Sequence, residues 1–137
     1  MTSPAAGPAV LAIVSNDDVV RARQSVRTLA QECRLSLVDQ TKLVTAVSEL
    51  ARNTLVHGGG GSMRADLVAN GPRKGVRAVF EDQGPGIPDL DLALTDGWTS
   101  GSGLGLGLSG SRRLVDEFAI DSEPGRGTTV TVTKWGR

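Results

Sequence analysis

The stretch "ELARNTLVHGGGGSMRADLVANGPRKGVRAVFED", residues 49 to 82, carries the reading that decides the fold. Its first nine residues close an amphipathic pattern that begins near Ser36, where Asp39 three residues on makes an imperfect capping box. Leu43, Val47, Leu50 and Thr54 share one face of that helix, which runs to about Val56. Four glycines after His57 end it. "MRADLVA" and "GVRAVFED" then read as two strands, and "NGPRK" between them is a hairpin signal.

Working outward, "AVLAIV" (9–14) reads as a strand, and "SNDD" (15–18) supplies an N-cap and first-turn acids for a helix to about Glu32 or Cys33. Downstream, "DLDLALTD" (89–96) predicts a short helix, and "GWTSGSGLGLGLSG" (97–110) is expected to be irregular. "SRRLVDEF" (111–118) restarts a helix, "AIDSEP" (119–124) is a strand edge, and "GTTVTVTKW" (127–135) alternates as a strand should. This order predicts one domain over 1–137. It is a two-layer α/β sandwich with a mixed, mainly antiparallel sheet, helices on one face and a glycine-rich loop at one mouth.

Composition narrows the function. Fifteen basic and fifteen acidic residues cancel without forming blocks, which argues against nucleic acid as a partner. No apolar run approaches the ~20 residues of a membrane span, and the first ten residues do not read as a secretory signal. A cytoplasmic setting is expected. The single cysteine, Cys33, continues the apolar stripe Val19, Ala22, Val26, Ala30 and is read as core. Of 18 glycines, eight fall between Gly84 and Gly110, so backbone must approach something closely there.

Four features carry possible chemistry. Glu49 and Asn53 are neighbours one turn apart on a helix. They are either a polar flank or an oxygen ligand for Mg²⁺ beside a base. Asp82 ends an apolar strand and precedes Gly84, Pro85, Gly86 and Pro88; it is either an Asx turn or an acceptor for an exocyclic amine such as that of adenine. "GSGLGLG" (101–107) feeds a helix N-terminus, an arrangement that favours phosphates. Leu104, Leu106 and Leu108 alternate with its glycines and want burial, which suggests a lid. "GRGTTV" (125–130) is a tight turn into the last strand. The P-loop pattern is absent, and Gly105, Gly107 and Gly110 match G-x-G-x-x-G without the preceding strand that a dinucleotide site needs. The signature set of eukaryotic-type kinases is also missing.

Taken in order, E-x-x-x-N, D-x-G-x-G, G-x-G-x-G and G-T-T resemble the nucleotide-binding signature of the GHKL ATPase/kinase superfamily, over nearly the whole chain. "VSELARN", "EDQGPGIPD", "GLGLGLSGSRRLVDEF" and "GTTVTVTKW" are similar to the small bacterial serine/threonine kinases of partner-switching systems. The likeness is to the RsbT-like switch kinases of stressosomes, more than to the anti-sigma kinases RsbW and SpoIIAB. The resemblance implies ATP and Mg²⁺ as cofactors, Glu49 as catalytic base and Asn53 as the Mg²⁺ ligand. It implies Asp82 as the adenine-reading carboxylate, with Gly84 and Gly86 as its loop. Gly101, Gly103, Gly105 and Gly107, with Leu104 and Leu106 between them, would be the lid, and Thr128 would lie near the adenine. STAS-domain proteins (RsbS- and RsbR-like) would be scaffold and substrate, and a PP2C phosphatase (RsbU-like) would be activated on release. The alternative is an anti-sigma factor or nucleotide-gated binding module, with a sigma factor as partner. His57, four residues past Asn53, is either a helix-end histidine or a phosphate contact; Lys42, Arg52 and Arg112 are candidate cations for the γ-phosphoryl group.

Overall fold

Ser15 opens the first helix. Its extended backbone lets Oγ accept the Asp18 N–H at 3.4 Å, and the Asp18 carboxylate accepts the Val14 N–H at 3.0 Å and an Arg21 N–H at 2.6 Å. The Val14 N–H, helped by Ser15 and Arg21 and opposed by burial, holds the Asp18 carboxyl below its ordinary value. A depressed carboxyl adds stability above the unfolded-state pKa of about 3.9 and loses it as pH falls through the lower folded value. Asp18→Asn is therefore expected to lower the melting temperature at pH 7 and to flatten its fall below about pH 4, read by thermal melts across pH.

The computed structural model describes residues 10–86 and 104–136. Strand β1 (Val10–Ile13) leads into helix α1 (Asn16–Glu32), and helix α2 (Leu37–Val56) follows after a short turn. Ser36 caps α2 by accepting the Asp39 N–H at 3.0 Å. Strands β2 (Gly61–Asn70) and β3 (Arg73–Asp82) form the hairpin, helix α3 spans Leu104–Leu114, and β4 (Glu117–Glu123) and β5 (Gly127–Trp135) close the chain. The sheet order is β1-β2-β3-β5-β4, and all four ladders are antiparallel, so the expected mixed sheet is antiparallel throughout.

One face of this sheet is buried. Val19, Ala22, Val26 and Ala30 of α1 and Leu43, Val47 and Leu50 of α2 pack against Met63, Ala78, Phe80, Val130 and Val132. Cys33 is half-buried against the same core and burial pushes its thiol up, which fits packing rather than nucleophilic chemistry. Register then decides which polar residues join the buried face. Phe80 pairs with Met63 and Val130; two residues on, Asp82 pairs with Gly61 and Thr128. Side chains alternate with period two, so the parity that buries Phe80 and Val130 also turns Asp82 and Thr128 toward the helices. At the opposite end Lys134, 3% exposed, sits 3.6 Å from Asp39 and 3.3 Å from Asp116, tying α2 to β5.

The main departure from sequence expectation is α3. It starts at Leu104, inside the stretch expected to be irregular, and stops at Leu114, so Glu117 and Phe118 belong to β4 rather than to a helix. Glycine costs a helix about 0.5–1 kcal/mol relative to alanine. Here Leu108, Ser109 and Ser111 are buried, and Ser111 Oγ donates to the Ala46 carbonyl of α2 at 3.5 Å, so tertiary packing offsets the weak local propensity. Asp116 ends the helix: its N–H donates to Thr133 O and its carboxylate accepts the Trp135 N–H at 2.7 Å, which draws the chain into the sheet. The expected helix over 89–96 lies outside the described residues, as do Gly101 and Gly103.

Candidate functional site

Four separate segments converge where α2 ends. A cleft there has Leu50, Phe80, Leu108 and Val130 as apolar walls, with Asn53, His57, Gly58, Asp82, Gly86 and Thr128 as its polar and backbone surface; Thr54 completes the wall. Helix periodicity explains the α2 contribution, since Leu50, Asn53, Thr54 and His57 recur at spacings of three and four. The α2 C-terminus is closed by His57 N–H and Gly58 N–H, both donating to Asn53 O.

The Asp82 carboxylate makes the Asx turn and also faces the cleft. Oδ1 accepts the Gly84 N–H at 2.9 Å, the Asx turn that the local sequence suggests. The same side chain lines the cleft. A carboxylate has several lone-pair sites, so one bond to Gly84 leaves acceptor capacity for an N–H donor from a ligand. The surrounding glycines have a packing reason. A Cβ on Gly58 would lie 2.4 Å from Asp82 Cγ, and one on Gly84 would lie 2.8 Å from Gly58 Cα. The loop after α2 and the loop after β3 therefore stack backbone on backbone with the carboxylate beside them. Gly86 has φ 78° and a Cβ there would meet Glu123 O, while Pro85 O accepts the Gly125 N–H at 2.7 Å. That bond stitches the "GPG" segment to the β4–β5 turn and frames the cleft on the Thr128 side.

Asn53 carries the other signal. Its Nδ2 is buried and has no hydrogen-bond partner among the described residues. A buried unsatisfied amide costs about 1–3 kcal/mol, and at a cleft wall it marks a place for a ligand atom. The same amide offers an oxygen donor suited to a hard cation. Among the described residues no group of three His, Cys, Asp or Glu side chains is placed to hold a metal. The Asn53 amide oxygen is the kind of single protein ligand that Mg²⁺ usually takes when substrate phosphates complete its shell, while the unpartnered Nδ2 is a donor for a ligand acceptor.

Of the residues expected from sequence, Asn53, Asp82, Gly86 and Thr128 come together in the cleft, and Gly84 holds Asp82 from behind. Glu49 is half-buried and does not line it. One turn of α2 separates it from Asn53, and four residues advance a helix by about 40° past a full turn, so Glu49 sits further round toward solvent. Gly105 and Gly107 fall in the first turn of α3 together with Leu104 and Leu106, whereas Gly101 and Gly103 lie outside the described residues. Lys42 is three turns from Asn53 along α2, too far to share its ligand, and Arg52 is exposed. Gly58, Leu50, Phe80, Leu108 and Val130 are additions. Leu50, Phe80 and Val130 were visible only as apolar positions of a helix or strand, Leu108 as one of the lid leucines, and Gly58 only as a helix breaker.

A family model described as "Histidine kinase-, DNA gyrase B-, and HSP90-like ATPase" matches residues 38–135. The chain is 44% identical over 125 residues to the serine/threonine-protein kinase RsbT of Bacillus subtilis (strain 168), covering 91% of this chain and 94% of that protein. It is 30% identical over 118 residues to an anti-sigma F factor of Bacillus licheniformis, covering 82% of this chain and 81% of the relative. Among solved structures, the RsbU and RsbW domains of a Mycobacterium tuberculosis protein align with a TM-score of 0.64 at 25% identity, over 98% of this chain and 33% of that one. The mycobacterial sensor histidine kinase MprB aligns with a TM-score of 0.57 at 19% identity, over 95% of this chain and 98% of that one, and shares the fold.

Proposed function

We propose, from the premise that this chain belongs to the histidine kinase-, DNA gyrase B- and HSP90-like ATPase family, that it is an ATP- and Mg²⁺-dependent protein serine/threonine kinase of a partner-switching module. Its substrates are STAS-domain proteins, and release from them frees it to activate a PP2C-type phosphatase. The observation that carries the reading is the meeting of Asn53, with its unpartnered buried amide, and Asp82 in one cleft, in a chain so similar to a named serine/threonine kinase.

Phosphoryl transfer asks a protein mainly for positioning and charge stabilisation. Asp82 and Thr128 hold the base, and the apolar walls Leu50, Phe80 and Val130 exclude water from its faces. Asn53 Oδ1, together with the substrate phosphates, would hold Mg²⁺, whose charge would offset that on the transferring group. Glu49, one turn from Asn53, orients and deprotonates the acceptor hydroxyl. The first turn of α3, which holds Gly105 and Gly107, would present backbone N–H groups to the phosphates, where the dipole of a helix start favours anions.

The deciding experiment is incubation of the purified chain with Mg²⁺-ATP and the STAS proteins encoded beside it. Acid-stable phosphoserine or phosphothreonine on the STAS protein is expected. A sigma factor captured in pulldown, with no phosphate transferred, would favour the anti-sigma reading that the 30% identity to an anti-sigma F factor suggests. Nucleotide recognition has its own test. Asp82→Asn puts an amide where the base amine needs an acceptor, and bonds to charged groups are worth about 1.5–3 kcal/mol. ATP affinity by calorimetry should fall about ten-fold or more; an unchanged value would leave Asp82 as a turn residue only.

A further inference from the structure

Ser122 is out of place in its strand. On β4 the helix-facing positions Phe118 and Ile120 are half-buried and packed on the core, and the next position in that series is a serine. Register sets it directly opposite Thr128, which in turn pairs with Asp82 on β3. Asp82, Thr128 and Ser122 thus form one row across three strands, of which only the first two line the cleft.

We propose that Ser122 is a positioning residue that sets which purine the cleft accepts, by fixing where the Thr128 hydroxyl proton goes. Ser122 Oγ lies 2.8 Å from Thr128 Oγ1 and donates to the Gly127 carbonyl at 3.2 Å. A serine hydroxyl has one proton and two acceptor lone pairs. With its proton on Gly127 O, Ser122 can only accept from Thr128. Thr128 spends its own proton on that bond and turns lone pairs toward the cleft. The Asp82 carboxylate beside it is also an acceptor. Two adjacent acceptors suit the amino group at position 6 of a purine; a 6-oxo group would meet lone pairs with a lone pair. Selection between the two then comes as much from rejecting the oxo form as from holding the amine.

This rests on the reading of the cleft as an ATP site, and the experiment separates the two. Calorimetry compares Mg²⁺-ATP with Mg²⁺-ITP, whose base differs in carrying the 6-oxo group, for wild type, Ser122→Ala and Ser122→Thr, with melting temperatures alongside. In Ser122→Ala the Thr128 hydroxyl is released to donate into the cleft. ITP is expected to bind more tightly than to wild type, ATP more weakly, and the ATP-to-ITP preference to fall by about five-fold, the scale of one hydrogen bond. Ser122→Thr keeps the hydroxyl and should restore the wild-type preference. A purely structural serine would weaken both nucleotides together, so parallel losses or an unchanged ratio would overturn the proposal while leaving the ATP site intact. If wild type binds neither nucleotide, the ATP reading falls and this inference with it. Should Ser122→Ala not fold, Ser122→Cys, close in shape but a weak hydrogen-bonding partner, carries the same test with the same outcomes.

Discussion

Gly58→Ala is expected to lower ATP affinity by about 100-fold or more while leaving the chain folded. The methyl group would be built 2.4 Å from Asp82 Cγ, 2.5 Å from its Cβ and 2.7 Å from its Oδ2. A contact with Cβ is not relieved by rotating the carboxylate, so the side chain or the β3 end must move. Neither can move cheaply. Asp82 is held by the Gly84 N–H, and Gly84 itself rests against Gly58. Displacement would forfeit the charged hydrogen bond proposed between Asp82 and the base, about 1.5–3 kcal/mol, and the methyl group also narrows the cleft that Gly58 lines. Gly58 has no left-handed backbone requirement, so alanine suits its backbone and the cost falls on the site. Gly59→Asn is the control. Gly59 has φ 73° with open space around it, and asparagine tolerates that conformation. Calorimetry with circular dichroism on both variants decides the matter. Normal ATP binding by Gly58→Ala would mean that the two loops separate freely and that Asp82 is not pinned between them.

That contact also marks the limit of what the sequence tells. Period-two alternation and helix periodicity are local, so the β2–β3 hairpin, α2 and β5 were legible, down to the Ser36 cap. The E-x-x-x-N spacing and the carboxylate at a strand end were legible for the same reason. Gly58 was not. "HGGGGS" reads as a run of helix breakers, and nothing local distinguishes the glycine packed on residue 82 from Gly59, which packs on nothing. The start of α3 was missed because glycine propensity speaks against helix, while the packing of Leu108 and Ser111 against α2 is tertiary. Ser122 went unremarked for a third reason. Its partner depends on the β4–β5 register, which a one-residue slip would move to the other face of the sheet.

Glu49 is where kinase and binding module part, because its position separates it from nucleotide binding. Asn53 lines the cleft and Glu49, a turn earlier and half-buried, does not. A residue outside the cleft yet within a turn of Asn53, the proposed Mg²⁺ ligand, can serve the acceptor side of the transfer without holding ATP. Glu49→Gln keeps size and hydrogen-bonding reach but removes the base. ATP affinity is expected to stay near normal and capture of the STAS partner to persist. Phosphoryl transfer should drop about 100-fold or more, the lower range for loss of a general base. Asn53→Ala is the contrasting variant: it should weaken Mg²⁺-ATP binding and transfer together. The pair of measurements, calorimetry for ATP and phosphate incorporated per unit time, distinguishes three outcomes. Loss of transfer with intact ATP binding in Glu49→Gln makes Glu49 the base. Loss of both moves it into the nucleotide site, against the geometry seen here. Undiminished transfer makes it a solvated residue on the flank of α2, and the base for the acceptor hydroxyl must then be sought on another element.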